Sequence, residues 1–386
     1  MSHAPSLTLN RRHQSVRAAL ASSGLDALVV TALPNILYLT NFTGSSAIVV
    51  LTAARLLFIT DFRYLTVLEE GRGTPHECPG MEVVTVEGSY DATLAELLAK
   101  HPWRRTGFEA AHLTVDRYSW LKQTLRGSES AIRNPQSAIE LVATKRIVER
   151  ARVLKDPYEI ATLKEAAMRL SLVAEAAPAE VRRGLTERDV AVAIDRRIRQ
   201  AGFARPAFDT IVASGPNAAL PHARPGERTI SEGDLVVLDF GGVYDSYCVD
   251  LTRTVSVGPA GDRAVRVHAA VREARDRAIA MVAPGRSRFE IDEAAREALG
   301  RHGLAEAFGH GTGHGLGIEV HEDPRITRRG PDVDTEDEAV EPGMIFTIEP
   351  GAYLPGWGGV RIEDDVLVTD SGVEVLTDVT TDLIEI

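Results

Sequence analysis

The sequence predicts an α/β unit over about residues 1–145 and an α+β unit over about 146–386, and three observations carry that reading. Short aliphatic runs alternate with helix-like segments through roughly the first 140 residues, as in a layered α/β unit. From about 136 to 200, charged and aliphatic residues recur at three- and four-residue spacing, which predicts helix almost throughout beyond Pro157. After residue 205 the pattern changes to strands and tight turns, interrupted by helical stretches near 262–283 and 288–302. Helices grouped with an antiparallel-looking sheet read as α+β, not as a dinucleotide-binding fold.

The elements follow in order. Residues 9–23 carry apolar and basic positions at helical spacing, and Gly24 stands at the expected stop. Ala27–Val30, Ala47–Leu51 and Leu56–Ile59 read as strands separated by Pro34, Asn35, Gly44 and Ala53–Arg55. Residues 91–100 return to helical spacing, and Gly107–Glu109 reads as a short strand. This half offers no cluster of histidine with carboxylate. The boundary falls near 140–155, without a Gly/Ser linker. Thr186 reads as a helix cap, with Asp189 three residues on as a weaker capping-box partner. The run GHGTGHGLG is not GxGxxG behind a strand and holds no GK[ST], so neither a dinucleotide site nor a P-loop is supported.

Composition narrows the function classes. The chain of 386 residues is 44% hydrophobic and 25% charged, which excludes disorder, collagen and coiled coil. Its net charge of −12 argues against a nucleic-acid partner, since phosphate binding needs a concentrated basic surface. No apolar stretch reaches the roughly 18 to 20 residues that cross a bilayer, and the N-terminus has no apolar core behind its basic pair, so neither a membrane span nor a signal peptide is expected. Two cysteines, Cys78 and Cys248, cannot form a disulfide framework, and a reduced cytoplasmic compartment is expected.

The chemistry concentrates in the second half. His222, His310, His314 and His321 fall within 100 residues, close to two carboxylate pairs. In LVVLDFGGVYDSYCVDLTRTV two strands flank a turn read over Gly241–Ser246, and Asp239 and Asp250 are equidistant from a centre between Tyr244 and Asp245. They would face each other on one side of a hairpin, where like charges repel. In MIFTIEPGAYLPGWGGVRIEDDVLVT, Glu349 and Glu363 are likewise equidistant from Gly356, between strands 344–349 and 359–368. A cation between such pairs turns repulsion into binding, and two pairs suggest one shared, dinuclear site. Mostly hard oxygen ligands with one imidazole favour Mn²⁺, Co²⁺ or Mg²⁺ over a structural zinc. Glycines around His314 and His321 exclude a helical His pair and let the backbone approach something compact. His222 stands between prolines on a loop. His112, His268, His302, Glu232, Asp234 and the acidic run Asp332–Glu341 read as surface or satisfied groups.

The segments LDFGGVYDSYCVDLTRT, GHGTGHGLGIEVHEDP, FTIEPGAY and GGVRIEDD, in that order, resemble the pita-bread metallopeptidase family, which includes methionine aminopeptidase, aminopeptidase P and prolidase. The first 140 residues and KDPYEIATLKEAA resemble the creatinase-type N-terminal domain of aminopeptidase P and prolidase. The resemblance implies five ligands, Asp239, Asp250, His314, Glu349 and Glu363, holding two divalent ions, with Asp250 and Glu363 bridging. Manganese is expected, with cobalt or zinc as alternatives. Glu349 would act as general acid/base, and His222 and His321 would contact substrate and the developing oxyanion. His310 would line the proline pocket, and Arg361 would orient the metal site or bind a substrate carboxylate. The implied activity is hydrolysis of Xaa-Pro dipeptides, as in a prolidase, by a homodimer. Aminopeptidase P activity on longer peptides is the alternative, and a non-catalytic peptide-binding relative would be expected to lack ligands that this chain has. The segment RITRRGPDVDTEDEAV is longer and more acidic than the family's usual link, and reads as a lid or an oligomer contact.

Overall fold

Strands Ala27–Val30, Ile48–Thr52 and Leu56–Thr60 are buried at every position, which is why they read as unbroken aliphatic runs. They form the centre of a six-stranded mixed sheet in the N-terminal unit. Its order is Met81–Thr85, Leu56–Thr60, Ile48–Thr52, Ala27–Val30, Arg105–Glu109 and Glu140–Thr144. The two central pairings are antiparallel and the outer ones parallel. Helices Tyr90–Lys100 and Val115–Arg126 bury Leu94, Leu98, Leu121 and Leu125 in the core it shares. The first helix, Ser6–Ser22, stops before Gly24, whose φ of 63° suits a residue without Cβ. The computed structural model describes residues 3–127, 139–330 and 338–386. The chain divides into two compact units, Met1–Arg152 and Val153–Ile386. Of the acidic run Asp332–Glu341, residues up to 337 lie outside the described ones.

The C-terminal unit is α+β. Helix Pro157–Ala176 starts at a capping box between Asp156 and Glu159, and Glu187–Gln200 starts at the box between Thr186 and Asp189. Leu163, Leu170, Ile194 and Ile198 from these helices pack on the long hairpin Leu235–Tyr244 with Tyr247–Ser256. That hairpin belongs to a five-stranded sheet with Arg205–Pro206, Ile211–Ser214 and Ile384–Glu385, and a second five-stranded sheet runs in the order Glu322–Ile326, Gly313–Gly315, Ile345–Ile348, Asp364–Thr369 and Gly372–Val375. Helices Asp262–Met281 and Arg288–Arg301 cover it through Val271, Ala274, Ile291 and Ala295. This is the pita-bread arrangement, two helix pairs enclosing two sheets.

The hairpin register corrects one expectation. The strands continue through the glycines to Tyr244, and the turn is Asp245–Ser246, with φ of 46° and 71°, as in the two-residue turns whose twist matches a hairpin. Asp239 therefore pairs with Thr252, and Asp250 with Gly241. The two carboxylates share a face as diagonal neighbours instead of facing directly. The glycines answer to packing: a Cβ on Gly242 would lie 2.4 Å from the Phe203 ring.

The second hairpin keeps the expected register and adds a gap. Ile348 pairs with Asp364 in one ladder, and Gly351 pairs with Arg361 in a separate two-stranded ribbon. Both ladders share one register, so Glu349 and Glu363 occupy opposed positions in the gap. Each bonds elsewhere: the Glu349 N–H donates to Thr312 O at 2.7 Å, and the Glu363 N–H to Thr252 O at 3.1 Å. The gap thus ties Glu363 to the long hairpin and Glu349 to the residue that precedes strand Gly313–Gly315.

Candidate active site

His314 reaches the same point from the strand Gly313–Gly315. A Cβ on Gly313 would sit 1.8 Å from Thr347 O, and one on Gly315 2.1 Å from Asp323 O, so only glycine fits on either side of this histidine. Its Nδ1 lies 3.2 Å from Gly315 O. A carbonyl can only accept, so Nδ1 carries the proton and Nε2 keeps its lone pair. That Nε2 lies 3.7 Å from Glu349 Oε1 and 3.9 Å from Asp250 Oδ2.

Donor atoms of Asp250, His314 and Glu363 lie within 4.8 Å of one another. Thr252 Oγ1 donates to Glu363 Oε2 at 2.6 Å. Asp239 is paired through Oδ2 with the Arg361 guanidinium. Among the described residues, Oδ1 of Asp239 and Oδ1 of Asp250 are buried without a hydrogen-bond partner. Buried anionic oxygens are costly unless satisfied, and this donor set, carboxylates with one lone-pair imidazole, suits divalent cations.

Electrostatics point the same way. Burial raises Asp250 well above the usual carboxylate range, and Glu363 and Asp239 add to it. Burial likewise raises Glu363, reinforced by Glu349 and Asp239. Glu349 is pushed up to about 8 by burial, with Arg361 pulling it down and Asp239 up. His314 falls to about 3, through burial and then His321. These are three buried carboxylates and a neutral imidazole, packed at a cost that positive charge would relieve.

The cluster lies in a cavity of about 680 Å³ that is also lined by His222, His310, His321 and Arg325. The His321 ring lies 4.3 Å from that of His314, edge to face. His310 donates from Nδ1 to Gly311 O at 2.8 Å, which leaves its Nε2 to accept from Tyr353 OH at 2.8 Å. The same hydroxyl accepts from Arg361 Nη1 at 2.9 Å. A chain of hydrogen bonds therefore runs from Arg361 through Tyr353 to His310. Burial lowers His310 to about 4, and it is neutral in this chain at neutral pH.

Three contributors escaped the sequence reading. Thr252 was hidden by the misplaced turn, because correct pairing puts it opposite Asp239. Tyr353 sits two residues from Gly351, and a Cβ there would lie 2.5 Å from Tyr353 OH, so a glycine before an aromatic was the available signal. Arg325 gave none: it lines the cavity and forms no ion pair among the described residues. Arg361, by contrast, is 3% exposed and also donates to Thr252 Oγ1 and Pro221 O.

Two family descriptions match the chain: "Metallopeptidase family M24" over residues 161–370 and "Creatinase/Prolidase N-terminal domain" over residues 12–154. The chain is 36% identical over 364 residues to an uncharacterized peptidase, YqhT, of Bacillus subtilis, covering 94% of this chain and 97% of that protein. Among solved structures it is similar to an Xaa-Pro dipeptidase from Bacillus anthracis, with a TM-score of 0.89 and 35% identity over 98% of this chain and 100% of the other. An X-Pro aminopeptidase from Thermotoga maritima is also similar, with a TM-score of 0.82 and 31% identity over 94% and 98% of the two chains.

Proposed function

We propose that this chain, which belongs to metallopeptidase family M24, hydrolyses the Xaa-Pro bond of dipeptides, as its Bacillus anthracis relative is named for doing. One observation carries the dipeptide preference. Arg325 presents a cation to the cavity with no acidic partner among the described residues, which suits the free carboxylate of a C-terminal proline. The buried and fully engaged Arg361 fits the other role its resemblance implies, that of orienting the metal site.

Asp239, Asp250, His314, Glu349 and Glu363 would hold two divalent ions, manganese first and cobalt or zinc as alternatives. Bound there, the ions supply Lewis-acid polarisation of the scissile carbonyl and lower the pKa of water. The chain's residues do the rest. Arg325 fixes the proline carboxylate, and His310, held by Tyr353, forms part of the proline wall. His222 and His321 donate to the carbonyl oxygen as charge develops on it. Glu349, between His310 and His314, takes a proton from the attacking water and passes it to the leaving proline nitrogen. The reading extends to a cytoplasmic homodimer: both cysteines are buried and neither is in a disulfide, and the resemblance gives the N-terminal domain a dimerising role.

The test compares a manganese-loaded preparation on an Xaa-Pro dipeptide, its C-terminal amide and an Xaa-Pro tripeptide. The dipeptide is expected to be preferred, and Arg325→Ala to raise its KM about 10- to 100-fold while leaving the amide almost unaffected; a charged hydrogen bond contributes about 1.5–3 kcal/mol. Equal or faster turnover of the tripeptide would move the assignment to an aminopeptidase.

A further inference from the structure

His222 is exposed and makes no side-chain hydrogen bond among the described residues, so the loop that carries it sets its position. That loop leaves strand Ile211–Ser214, makes a short 3₁₀ turn at Gly215–Ala219, and returns near Arg228. Its two ends meet at one side chain. Glu187, the first residue of helix Glu187–Gln200, is 1% exposed. Its Oε1 accepts from the Ser214 N–H at 2.8 Å, from Ser214 Oγ at 2.8 Å and from Asn217 Nδ2 at 3.0 Å. Its Oε2 accepts from the Gly226 N–H at 3.2 Å.

The neighbouring backbone closes the clamp. The Glu187 N–H donates to Arg228 O at 3.1 Å, and the Arg188 N–H to Gly226 O at 3.2 Å. On the opposite side, strand Gly358–Arg361 approaches so closely that a Cβ on Gly359 would lie 2.1 Å from Ala218 O, and Arg361 Nη1 donates to Pro221 O at 3.3 Å. Arg228, the nearby cation, is bonded to Ser214 Oγ and Asp234 instead of to Glu187. The buried carboxylate is thus directed at loop donors, where charge-assisted hydrogen bonds are strongest.

We infer that Glu187 is a positioning residue, which holds His222 at the cavity wall by tying both ends of the 214–228 loop to one helix start. The inference rests on the substrate contact proposed above for His222. A purely structural role for Glu187 would lower stability without any dependence on His222.

The experiment is a double-mutant cycle on the full chain with Glu187→Gln and His222→Ala, read as kcat/KM on an Xaa-Pro dipeptide, with hydrogen–deuterium exchange on peptides spanning 214–228. Glutamine keeps the size but turns an amide N–H₂ toward donors. Glu187→Gln is expected to lower kcat/KM at least about tenfold in the wild-type background and less than about twofold in the His222→Ala background. Exchange should rise within 214–228. If Glu187→Gln does not fold, Asn217→Ala removes the two Nδ2 contacts to the same carboxylate and should give a smaller effect of the same pattern. Losses that multiply independently of His222, or unchanged exchange in both variants, overturn the inference. A wild-type enzyme inactive on every Xaa-Pro substrate sinks the functional reading instead, and the exchange data then decide the clamp.

Discussion

Replacing Asp364 with alanine removes the anion at the centre of a buried network beside the active site. Asp364 is 0% exposed and accepts from Arg253 Nη2 at 2.7 Å, Arg275 Nε at 2.8 Å and Thr377 Oγ1 at 2.7 Å. The two guanidinium groups are themselves largely buried, at 9% and 15% side-chain exposure. Breaking such a pair from one side leaves uncompensated buried charge, at a cost of about 3–5 kcal/mol. For a unit of this size, 1 kcal/mol moves Tm by about 2–4 °C, so Asp364→Ala should lower it by roughly 6–20 °C. Asp364→Asn keeps the shape and one acceptor and should fall between the two. Arg253 Nη1 also donates to Glu363 O at 2.6 Å, so manganese affinity should fall as well. Calorimetry and isothermal titration read both effects. A Tm change under about 2 °C would refute the reasoning, since it would equate the network with an exposed ion pair.

Three further outcomes are expected. Asp250, Glu349 and Glu363 are raised by burial, Glu349 to about 8, so their protonated forms favour the folded EDTA-treated protein. That contribution is present below the ordinary carboxylate range and is lost as pH rises toward 8, whereas metal binding needs the ionised forms and releases their protons. The Tm gain on adding manganese should therefore grow from pH 5.5 to 8 in thermal melts, and a flat or shrinking gain would count against the ligand set. Ser246→Gly should stabilise the protein by about 0.5–1 kcal/mol, because Ser246 holds a φ of 71°. Gly242→Ala should destabilise it by about 1–3 kcal/mol through its clash with Phe203. Chemical denaturation that reversed those two signs would return the turn to the glycines.

Legibility followed local constraint. The helix start at Thr186 announces itself because the cap and its partner lie within four residues, whereas the like box at Asp156 went unread. The Glu349–Glu363 pairing was readable because Pro355, Gly356 and Gly358 locate the centre of the hairpin. The Asp239–Asp250 pairing was misjudged by one step of pleat, because the turn uses Asp245 and Ser246 at positive φ while nearby glycines answer to Phe203. Alternation preserved the face, so the carboxylates converge despite the wrong partner. Arg325 and Glu187 could not be read at all. One matters for the partner it lacks among the described residues and the other for donors twenty-seven to thirty-nine positions away, and no spacing rule encodes either.

The interrupted hairpin also sets where this sequence can lengthen. Residues inserted at the tip, between Leu354 and Gly358, extend only an outer turn, and both ladders keep their pairing. One residue added between Ile348 and Gly351, or between Arg361 and Asp364, would break the register shared across the gap and turn a glutamate to the opposite face. Length can therefore change at the ribbon's end, while the few residues flanking each glutamate tolerate no change in number.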